Sequence, residues 1–551
     1  MKNQHLPSLI KMINTYKLQV IIVFASMVLF VPFLGQVHLF DWDEINFAEC
    51  AREMLASGNY FSVQINYQPF WEKPPLFIWM QAGLMNIFGV NEFAARLPNA
   101  ICGIITLLIL FNIGKKIFNQ QFALWWIFVY ASSFLPHFYF KSGIIDPWFN
   151  LFIFSSLYYF VLFIEYKTIR YILFSAILLG LAVLTKGPAA LLIVGLCITI
   201  YWIKNKFNPF IKIWHLFVFG ICVLAIGGLW FLILSISGNY AIIQEFFTYQ
   251  IRLFNTQDSG HGGPFFYHWI VLLIGCFPMS IIALRAFGKQ DDDKQLQKTF
   301  KQFMFILFWV VLILFSIVKT KIVHYSSLCY YPLSFMCAYA IYKLLSDTIK
   351  WKKTTSLLLL IIASVIGIAL IALPFIDKYK NAIINSGIIH DKFAVENLKA
   401  NVYWSGYEWL IGVVFILGVI VSTIMFKRNN IRNGLILLFT TSLITVNTAL
   451  TIIVPRIEQY SQGAVIAFYK NLQGKDCYVE TLGFKSYAHL FYSHMQPNDN
   501  INRLSMDWLL YSDTGKPTYF VSKIQSAEEI KAGYPHLKEL YRKNGFVFYS
   551  K

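Results

Sequence analysis

Asp41-Trp42-Asp43-Glu44-Ile45-Asn46-Phe47-Ala48-Glu49-Cys50-Ala51-Arg52-Glu53-Met54-Leu55, followed after a gap by Phe70-Trp71-Glu72-Lys73-Pro74-Pro75, gathers Asp41, Asp43, Glu44, Glu49, Arg52, Glu53, Glu72 and Lys73 into one short loop. That loop follows the first long apolar run of the chain. Charges near hydrocarbon are costly without water or partners, so such a cluster at a membrane surface points to a functional site. The remainder of the chain reads as a scaffold that holds this loop against a lipid.

The 551 residues are 57% hydrophobic and 13% charged, whereas soluble domains carry about a quarter charged residues. Apolar runs of about 18 residues or more recur, which matches the hydrocarbon thickness of a bilayer. The fold class expected is an α-helical polytopic membrane protein. Thirteen candidate spans lie near 18–37, 93–113, 120–136, 147–165, 170–185, 188–203, 213–236, 265–284, 302–319, 326–342, 354–374, 408–426 and 434–454. The first run is too long for a signal core and lacks a small-residue cleavage site, so it reads as the first transmembrane helix. Two further apolar helices in the first long loop look too short or too polar to span.

The net charge of +18 does not indicate nucleic acid, because most Lys and Arg residues sit in short loops between apolar spans. Every second loop is basic, from Lys115/Lys116 through Lys204/Lys206/Lys212 to Lys427/Arg428/Arg432. This positive-inside bias puts the N-terminus in the cytoplasm. Loops 38–92, 237–264, 319–325 and 375–407 then face outward. The eight cysteines are scattered with no CxxC pair and read as small apolar core residues.

Residues 1–455 are expected to form the transmembrane domain and 456–551 a small α/β domain on the outer face. Strand-like runs begin at Cys477, Thr518 and Phe546, and helix-like stretches at Ala527 and Leu537. No nucleotide-binding glycine loop or metal-ligand spacing occurs there.

In the first outer loop, Asp41 and Glu44 suggest a helix-capping arrangement. The apolar residues from Ile45 to Leu55 then recur at helical spacing, as in an amphipathic helix lying on the membrane surface. Lys73-Pro74-Pro75 opens a second helix that runs to about Phe88. The plainer alternative is that Asp41 and Asp43 only cap a helix and that Glu72 and Lys73 form an ordinary interfacial pair.

Other outer loops add Lys141 and Asp146, Lys186-Gly187-Pro188, Arg252, His261-Gly262-Gly263-Pro264 and Lys319-Thr320-Lys321-Ile322-Val323-His324-Tyr325. Lysine and arginine suit an anionic phosphate headgroup. A carboxylate suits activation of a nucleophile, or stabilisation of positive charge at an anomeric carbon. Together they imply chemistry on a lipid phosphate. Against this, Lys141 and Lys186 read equally as lysines snorkelling from helix ends, and His261 and His324 as hydrogen-bonded loop histidines.

Asp43-Glu44 with Phe47-Ala48-Glu49 and Arg52-Glu53-Met54-Leu55, then Phe70-Trp71-Glu72-Lys73-Pro74-Pro75 and Phe93-Ala94-Ala95-Arg96-Leu97-Pro98, resemble the ArnT-like (aminoarabinose transferase) branch of membrane glycosyltransferases. These share the GT-C fold with the protein O-mannosyltransferases. Leu184-Thr185-Lys186-Gly187-Pro188, Gly262-Gly263-Pro264-Phe265-Phe266-Tyr267 and Lys319–Tyr325 continue the match, which covers about residues 18–345. The resemblance implies inverting transfer of a sugar from a polyprenyl-phosphate carrier to a lipid or protein acceptor at the outer face of a bacterial inner membrane. Carried across by motif, Asp43 would be the key carboxylate and Lys73 would bind the donor phosphate, with Glu72 and Asp146 shaping the pocket and Arg252 and Tyr325 near the phosphate. Together with the residues of the outer loops, the expected site is then Asp43, Glu44 and Asp146 as catalytic carboxylates, Lys73, Arg252, Tyr325 and Lys141 at the donor phosphate, and Glu72, His261, Lys186 and Lys321 in the pocket. A divalent metal is the single cofactor it raises, with Glu72 and His261 as ligand candidates.

Two departures stand out. An arginine and a tyrosine are expected soon after Asp-Glu, where this chain has Ile45-Asn46-Phe47. Leu-Pro is expected before the later tyrosine, where it has Ile322-Val323-His324. Sugar and acceptor therefore do not follow from the resemblance. A flippase for lipid-linked sugars is the competing reading; it should carry its charges near mid-membrane on broken helices, whereas here they gather at outer span ends. A non-catalytic scaffold would not need Asp43, Glu72 and Lys73 together.

Overall fold

The computed structural model describes residues 6–256, 262–287, 293–497 and 500–551. Helices occupy all thirteen stretches read as apolar spans. In chain order they begin with α1 (Leu6–Phe30), α2 (Asp43–Ser57), α3 (Leu76–Phe88), α4 (Glu92–Ile117), α5 (Gln120–Ser132), α6 (Phe134–Tyr139), α7 (Asp146–Tyr166), α8 (Ile169–Lys186) and α9 (Ala189–Lys204). They continue with α10 (Ile213–Gly227), α11 (Leu229–Ile236), α12 (Tyr240–Asn255), α13 (Tyr267–Gly275), α14 (Met279–Ala283), α15 (Gln295–Ile317) and α16 (Tyr330–Leu345). The last of the membrane part are α17 (Lys353–Lys378), α18 (Lys380–Asn385), α19 (Lys392–Leu398), α20 (Trp409–Lys427) and α21 (Ile431–Thr448).

Among the described residues, seven helices are long and apolar enough to cross a membrane, or nine if each bent pair counts as one span. The pair α10 and α11 bends by 54° and the pair α13 and α14 by 109°. The straight span expected over 265–284 is therefore a sharply folded pair. Helices α5, α9 and α16, with 13, 16 and 16 residues, are shorter than a straight crossing needs.

Local sequence explains the ends. Asn91 and Asn119 cap α4 and α5, accepting from the N–H groups of Ala94 and Phe122. The bundle core is aromatic: Trp126, Phe154, Phe300 and Phe335 pack together, and the Trp126 indole donates to Ser334. Small residues let helices approach. A Cβ on Gly412 would meet the Gly367 carbonyl at 2.4 Å, so α17 and α20 pack backbone to backbone there.

The last apolar helix runs from Ile431 through residue 455 to Ser461, and an α/β unit follows. After the short hairpin of β1 (Gln64–Ile65) and β2 (Gln68–Pro69) in the first outer loop, the strands of this unit are β3 (Tyr478–Leu482), β4 (Thr518–Lys523), β5 (Lys538–Lys543) and β6 (Phe546–Ser550), in the order β3-β4-β6-β5. β3 and β4 are parallel and the other pairs antiparallel. The helix expected from Leu537 is instead the edge strand β5. Its residues are exposed, and Asn544 and Gly545, both at positive φ, form the tight turn into β6. An Asn-Gly pair is a strong hairpin signal.

α2 also departs from expectation. A surface helix should expose one face, yet Glu44 through Met54 are all buried. One side packs on α3 and α4 through Ile45, Phe47 and Phe77, within an apolar cluster that also includes Val465, Ile466 and Phe548 of the C-terminal unit. The helix Ala488–Ser493 covers its other side. The charges Glu49, Arg52 and Glu53 are thus enclosed by protein.

Candidate active site

Where the ends of α2, α7, α8 and α12 meet the segment before α16, a cavity of about 660 Å³ opens. Asp43, Glu72, Lys73, Asp146, Lys186, Arg252, His324 and Tyr325 all line it, with Lys485 of the C-terminal unit. Leu192, Ile193, Phe315 and Leu328 provide an apolar wall.

Asp43 is the first residue of α2. The expected capping by Asp41 does not occur: Trp42 is the cap residue, at φ 73°, with no side-chain cap. The Asp41 carboxylate receives the Trp42 N–H instead, at 2.9 Å. A non-glycine residue at positive φ costs of order 1–3 kcal/mol and is frequent beside active sites. The Asp43 side chain keeps 35% exposure and reaches His324, with Oδ2 3.2 Å from Nε2.

Asp146 and Lys186 form the second pair, with Nζ 2.6 Å from Oδ1. Asp146 opens α7 and Lys186 closes α8, so each sits at the helix end whose dipole favours its charge. The turn after Lys186 depends on Gly187, at φ 94°, where a Cβ would meet Phe246 of α12 at 2.7 Å. Asp146 Oδ2 is buried without a hydrogen-bond partner and lies 3.9 Å from His324 Nε2. Burial holds the His324 imidazole below its ordinary pKa of 6.5; Lys186 and Lys73 add to that, while Asp146 and Asp43 oppose it.

Lys73 and Arg252 flank the ring of Tyr249, each 5.1 Å from its centroid. The Tyr249 hydroxyl donates to Glu72 Oε2 at 3.0 Å. Burial lowers the Lys73 pKa, opposed by Glu72 and Asp43. Lys186 Nζ lies 5.1 Å from the Tyr325 ring centroid. The Lys73–Tyr249–Arg252 group, Tyr325 and the pairs Asp43–His324 and Asp146–Lys186 thus share one cavity. That set can hold an oxyanion at one end while a carboxylate faces a nucleophile at the other.

Of the other residues expected at the site, Glu44 lines the cavity but is held in a buried ion pair, and Lys141 and Lys321 do not line it. Glu44 accepts both Arg96 Nε, at 2.9 Å, and Arg96 Nη2, at 2.8 Å, together with the N–H groups of Phe40 and Gly143. Its acceptor capacity is committed, so it braces the cavity wall rather than facing substrate. Burial alone would raise its pKa, but the Arg96 charge and these bonds hold it below the ordinary value. Lys141 donates to the Pro32 carbonyl at 3.0 Å and does not line the cavity. Lys321 caps the end of α15, donating to the carbonyls of Phe315, Ser316 and Val318. His261 lies outside the described residues. Glu72 retains its place, but no group of three or more His, Cys, Asp or Glu residues that could hold a metal occurs among the described residues.

From sequence, His324 reads as a loop histidine, Arg96 appears only as part of the Phe93–Pro98 motif, and Tyr249 and Lys485 do not stand out. The departure at Ile322-Val323-His324 was the available signal for the first. The others bear no local mark, because their partners are distant in sequence.

Residues 72–231 match the dolichyl-phosphate-mannose-protein mannosyltransferase family. The undecaprenyl phosphate-alpha-4-amino-4-deoxy-L-arabinose arabinosyl transferase of Wigglesworthia glossinidia brevipalpis is 26% identical over 376 residues, 67% of this chain and 66% of that protein. The enzyme of the same name from Photorhabdus laumondii is 27% identical over 321 residues, 56% of each chain. The match therefore spans just under two thirds of the first relative and little over half of the second. The crystal structure of ArnT from Cupriavidus metallidurans bound to undecaprenyl phosphate superposes with a TM-score of 0.76 at 16% identity, covering 97% of this chain and 98% of that one. Its apo form gives 0.75. With this architecture shared over nearly the whole length of both chains, this multi-pass membrane protein has the fold of the ArnT structures.

Proposed function

We propose that the protein is an inverting glycosyltransferase. It moves a sugar from a polyprenyl-phosphate carrier to an acceptor at the periplasmic face of a bacterial inner membrane. The observation that carries this reading is the single cavity in which Asp43 faces the Lys73–Tyr249–Arg252 stack. The relatives named as arabinosyl transferases, and the ArnT structure with bound undecaprenyl phosphate, support it.

The chemistry follows from the lining. The donor phosphate sits against Lys73 and Arg252 with the Tyr325 side chain beside it, and the apolar wall of Leu192, Ile193 and Leu328 takes the prenyl chain. As the acceptor oxygen bonds to the anomeric carbon, the bond from that carbon to the phosphate oxygen breaks. The leaving phosphate gains negative charge, which the two cations stabilise where it develops. A hydroxyl acceptor gives its proton to Asp43. An ionised phosphate acceptor has none to give, and Asp43 then orients it.

The acceptor is an envelope lipid such as lipid A, another envelope glycan, or a protein. The N-terminus is cytoplasmic and the C-terminal unit periplasmic, as the loop charges require. A flippase needs charged groups along a path through the bilayer; here the charged lining residues come from outer loops and the ends of α7 and α8.

Mass spectrometry of lipid A and envelope glycans from wild-type, deletion, Asp43→Asn and Lys73→Ala cells tests the proposal. A sugar-sized mass lost in all three altered strains, with normal membrane insertion, supports it and identifies the acceptor. Full transfer in either point mutant refutes the site.

A further inference from the structure

His324 lines the cavity between carboxylates from two different helices. Its side chain is 13% exposed, and Nε2 lies 3.2 Å from Asp43 Oδ2 and 3.9 Å from Asp146 Oδ2. Two carboxylate oxygens cannot face a nitrogen lone pair at these distances without repulsion, so Nε2 carries the proton. At 3.2 Å the bond goes to Asp43; 3.9 Å to Asp146 is attraction without a hydrogen bond.

The backbone of His324 is also held. The Ser327 hydroxyl donates to the His324 carbonyl at 2.5 Å, and Asn150 Nδ2 donates to that hydroxyl at 2.7 Å. Asn150 lies one turn after Asp146 on α7, on the same face. One face of one helix therefore fixes both the His324 backbone and the charge beside its ring. Asp43, by contrast, is 35% exposed at the start of α2, and His324 Nε2, at 3.2 Å, is the one basic side-chain nitrogen within 4 Å of its carboxylate among the described residues.

We infer that His324 is a positioning residue of the transfer reaction: its Nε2–H holds Asp43 Oδ2, registers that carboxylate against Asp146, and leaves Oδ1 to face the acceptor. This rests on the glycosyltransferase reading above. The groups that face the imidazole are Asp43 from α2, Asp146 from α7, Lys186 from the end of α8, Lys73 from the loop before α3 and His268 from α13. With burial favouring the neutral ring, His324 is uncharged at neutral pH. In acid it gains a second proton at Nδ1, and the resulting cation weakens Asp43 as a base. Transfer then falls as pH drops through the imidazole's range.

The experiment uses the full-length protein in lipid nanodiscs, with His324→Ala, His324→Gln and Asp43→Asn compared across pH. A shift of about 1 Å at a reacting group costs about 100-fold, so His324→Ala should lower kcat by ~10–100-fold while the KM for the polyprenyl-phosphate donor stays near wild type. His324→Gln restores a donor at the Nε2 position without a titratable ring. It should recover most of kcat at neutral pH and shift the acid limb downward. Wild-type kcat in His324→Ala, with Asp43→Asn inactive, overturns this inference alone. Full activity in Asp43→Asn overturns the underlying reading instead. If the alanine variant does not fold, the glutamine variant decides: an unchanged acid limb refutes the role.

Discussion

Replacing Arg96 by methionine should cost more stability than any other single change near the cavity. Its guanidinium donates five bonds: two to Glu44, two from Nη1 to the carbonyls of Leu34 and Val37, and one to that of His38. The pair is buried, with side-chain exposures of 5% and 6%. Removing one partner of a buried pair costs about 3–5 kcal/mol, and each carbonyl left without a donor adds about 1 kcal/mol where water does not reach it. The total, about 6–8 kcal/mol, rivals the whole stability of many folds. Glu44→Gln should cost less, because the amide keeps an acceptor oxygen for Phe40 or Gly143. Thermal unfolding of purified variants, read beside transfer activity, separates bracing from catalysis. Glu44→Gln should melt earlier and keep its kcat while folded. An unshifted melt with abolished transfer would make Glu44 catalytic and refute the bracing role. Because the folded Glu44 pKa is lowered from 4.5, its contribution is present above pH 4.5 and is lost as pH falls through the lower folded value.

Lys141→Ala should leave the KM for the donor unchanged, since the ammonium is bonded to Pro32 and lies off the cavity; a tenfold rise in enzyme assays would return Lys141 to the phosphate site. Gly412→Ala forces a Cβ to 2.4 Å from the Gly367 carbonyl and should cost about 1–3 kcal/mol by overpacking, visible as earlier unfolding of the membrane part. In the C-terminal unit, His489 Nε2 lies 3.3 Å from Glu480 Oε1; burial lowers the His489 pKa, but Glu480 lifts it above 6.5 overall. A raised folded pKa gives stability that is full below pH 6.5 and lost as pH rises through the folded value. Proteolysis of the C-terminal unit should therefore accelerate in mild alkali in the wild type and not in His489→Gln.

The membrane fold was legible because hydropathy and loop charge are written locally: each expected span holds a helix, and the three expected strands at 478, 518 and 546 are in place. The misreadings have particular causes. Residues 537–541 carry helix-favouring Leu, Lys and Glu, yet the Asn544-Gly545 turn two residues past that run decides for a hairpin. α2 reads as amphipathic when its charges are assigned to water, whereas their partners are one another, the Asn66-Tyr67 turn and Arg96 of α4. Asp43, Glu72, Lys73 and Asp146, which residue type at outer span ends picks out, line one cavity. Glu44 could not be separated from them, since its partner Arg96 lies 52 residues on and no spacing rule connects the two. Lys321 was misplaced for the opposite reason: its partners are the carbonyls of its own neighbouring helix end.

The C-terminal unit bears directly on the helix that presents Asp43, and this changes what a truncation can report. Arg52 grips Glu49 with two bonds of 2.7 Å. Glu53 accepts the N–H groups of Asn66 and Tyr67. The Tyr67 hydroxyl bonds both toward Arg52, at 3.5 Å, and to the Met495 carbonyl, at 2.8 Å, and Arg503 lies over the Tyr67 ring. Burial, then the nearby Glu49 charge, raises the Glu53 pKa to about 9, a state that persists only while water is kept out. Deleting residues 462–551 uncovers this cluster, lets Glu53 ionise beside Glu49, and removes the cover from α2. Transfer should then vanish even if the unit never touches an acceptor. Tyr67→Phe is the sharper probe, because it cuts the Met495 bond and leaves the unit in place. It should loosen the C-terminal unit toward protease and lower kcat by a few fold. If Tyr67→Phe does neither, and the truncated protein still transfers sugar, then α2 holds Asp43 unaided and the coupling argued from these bonds is wrong.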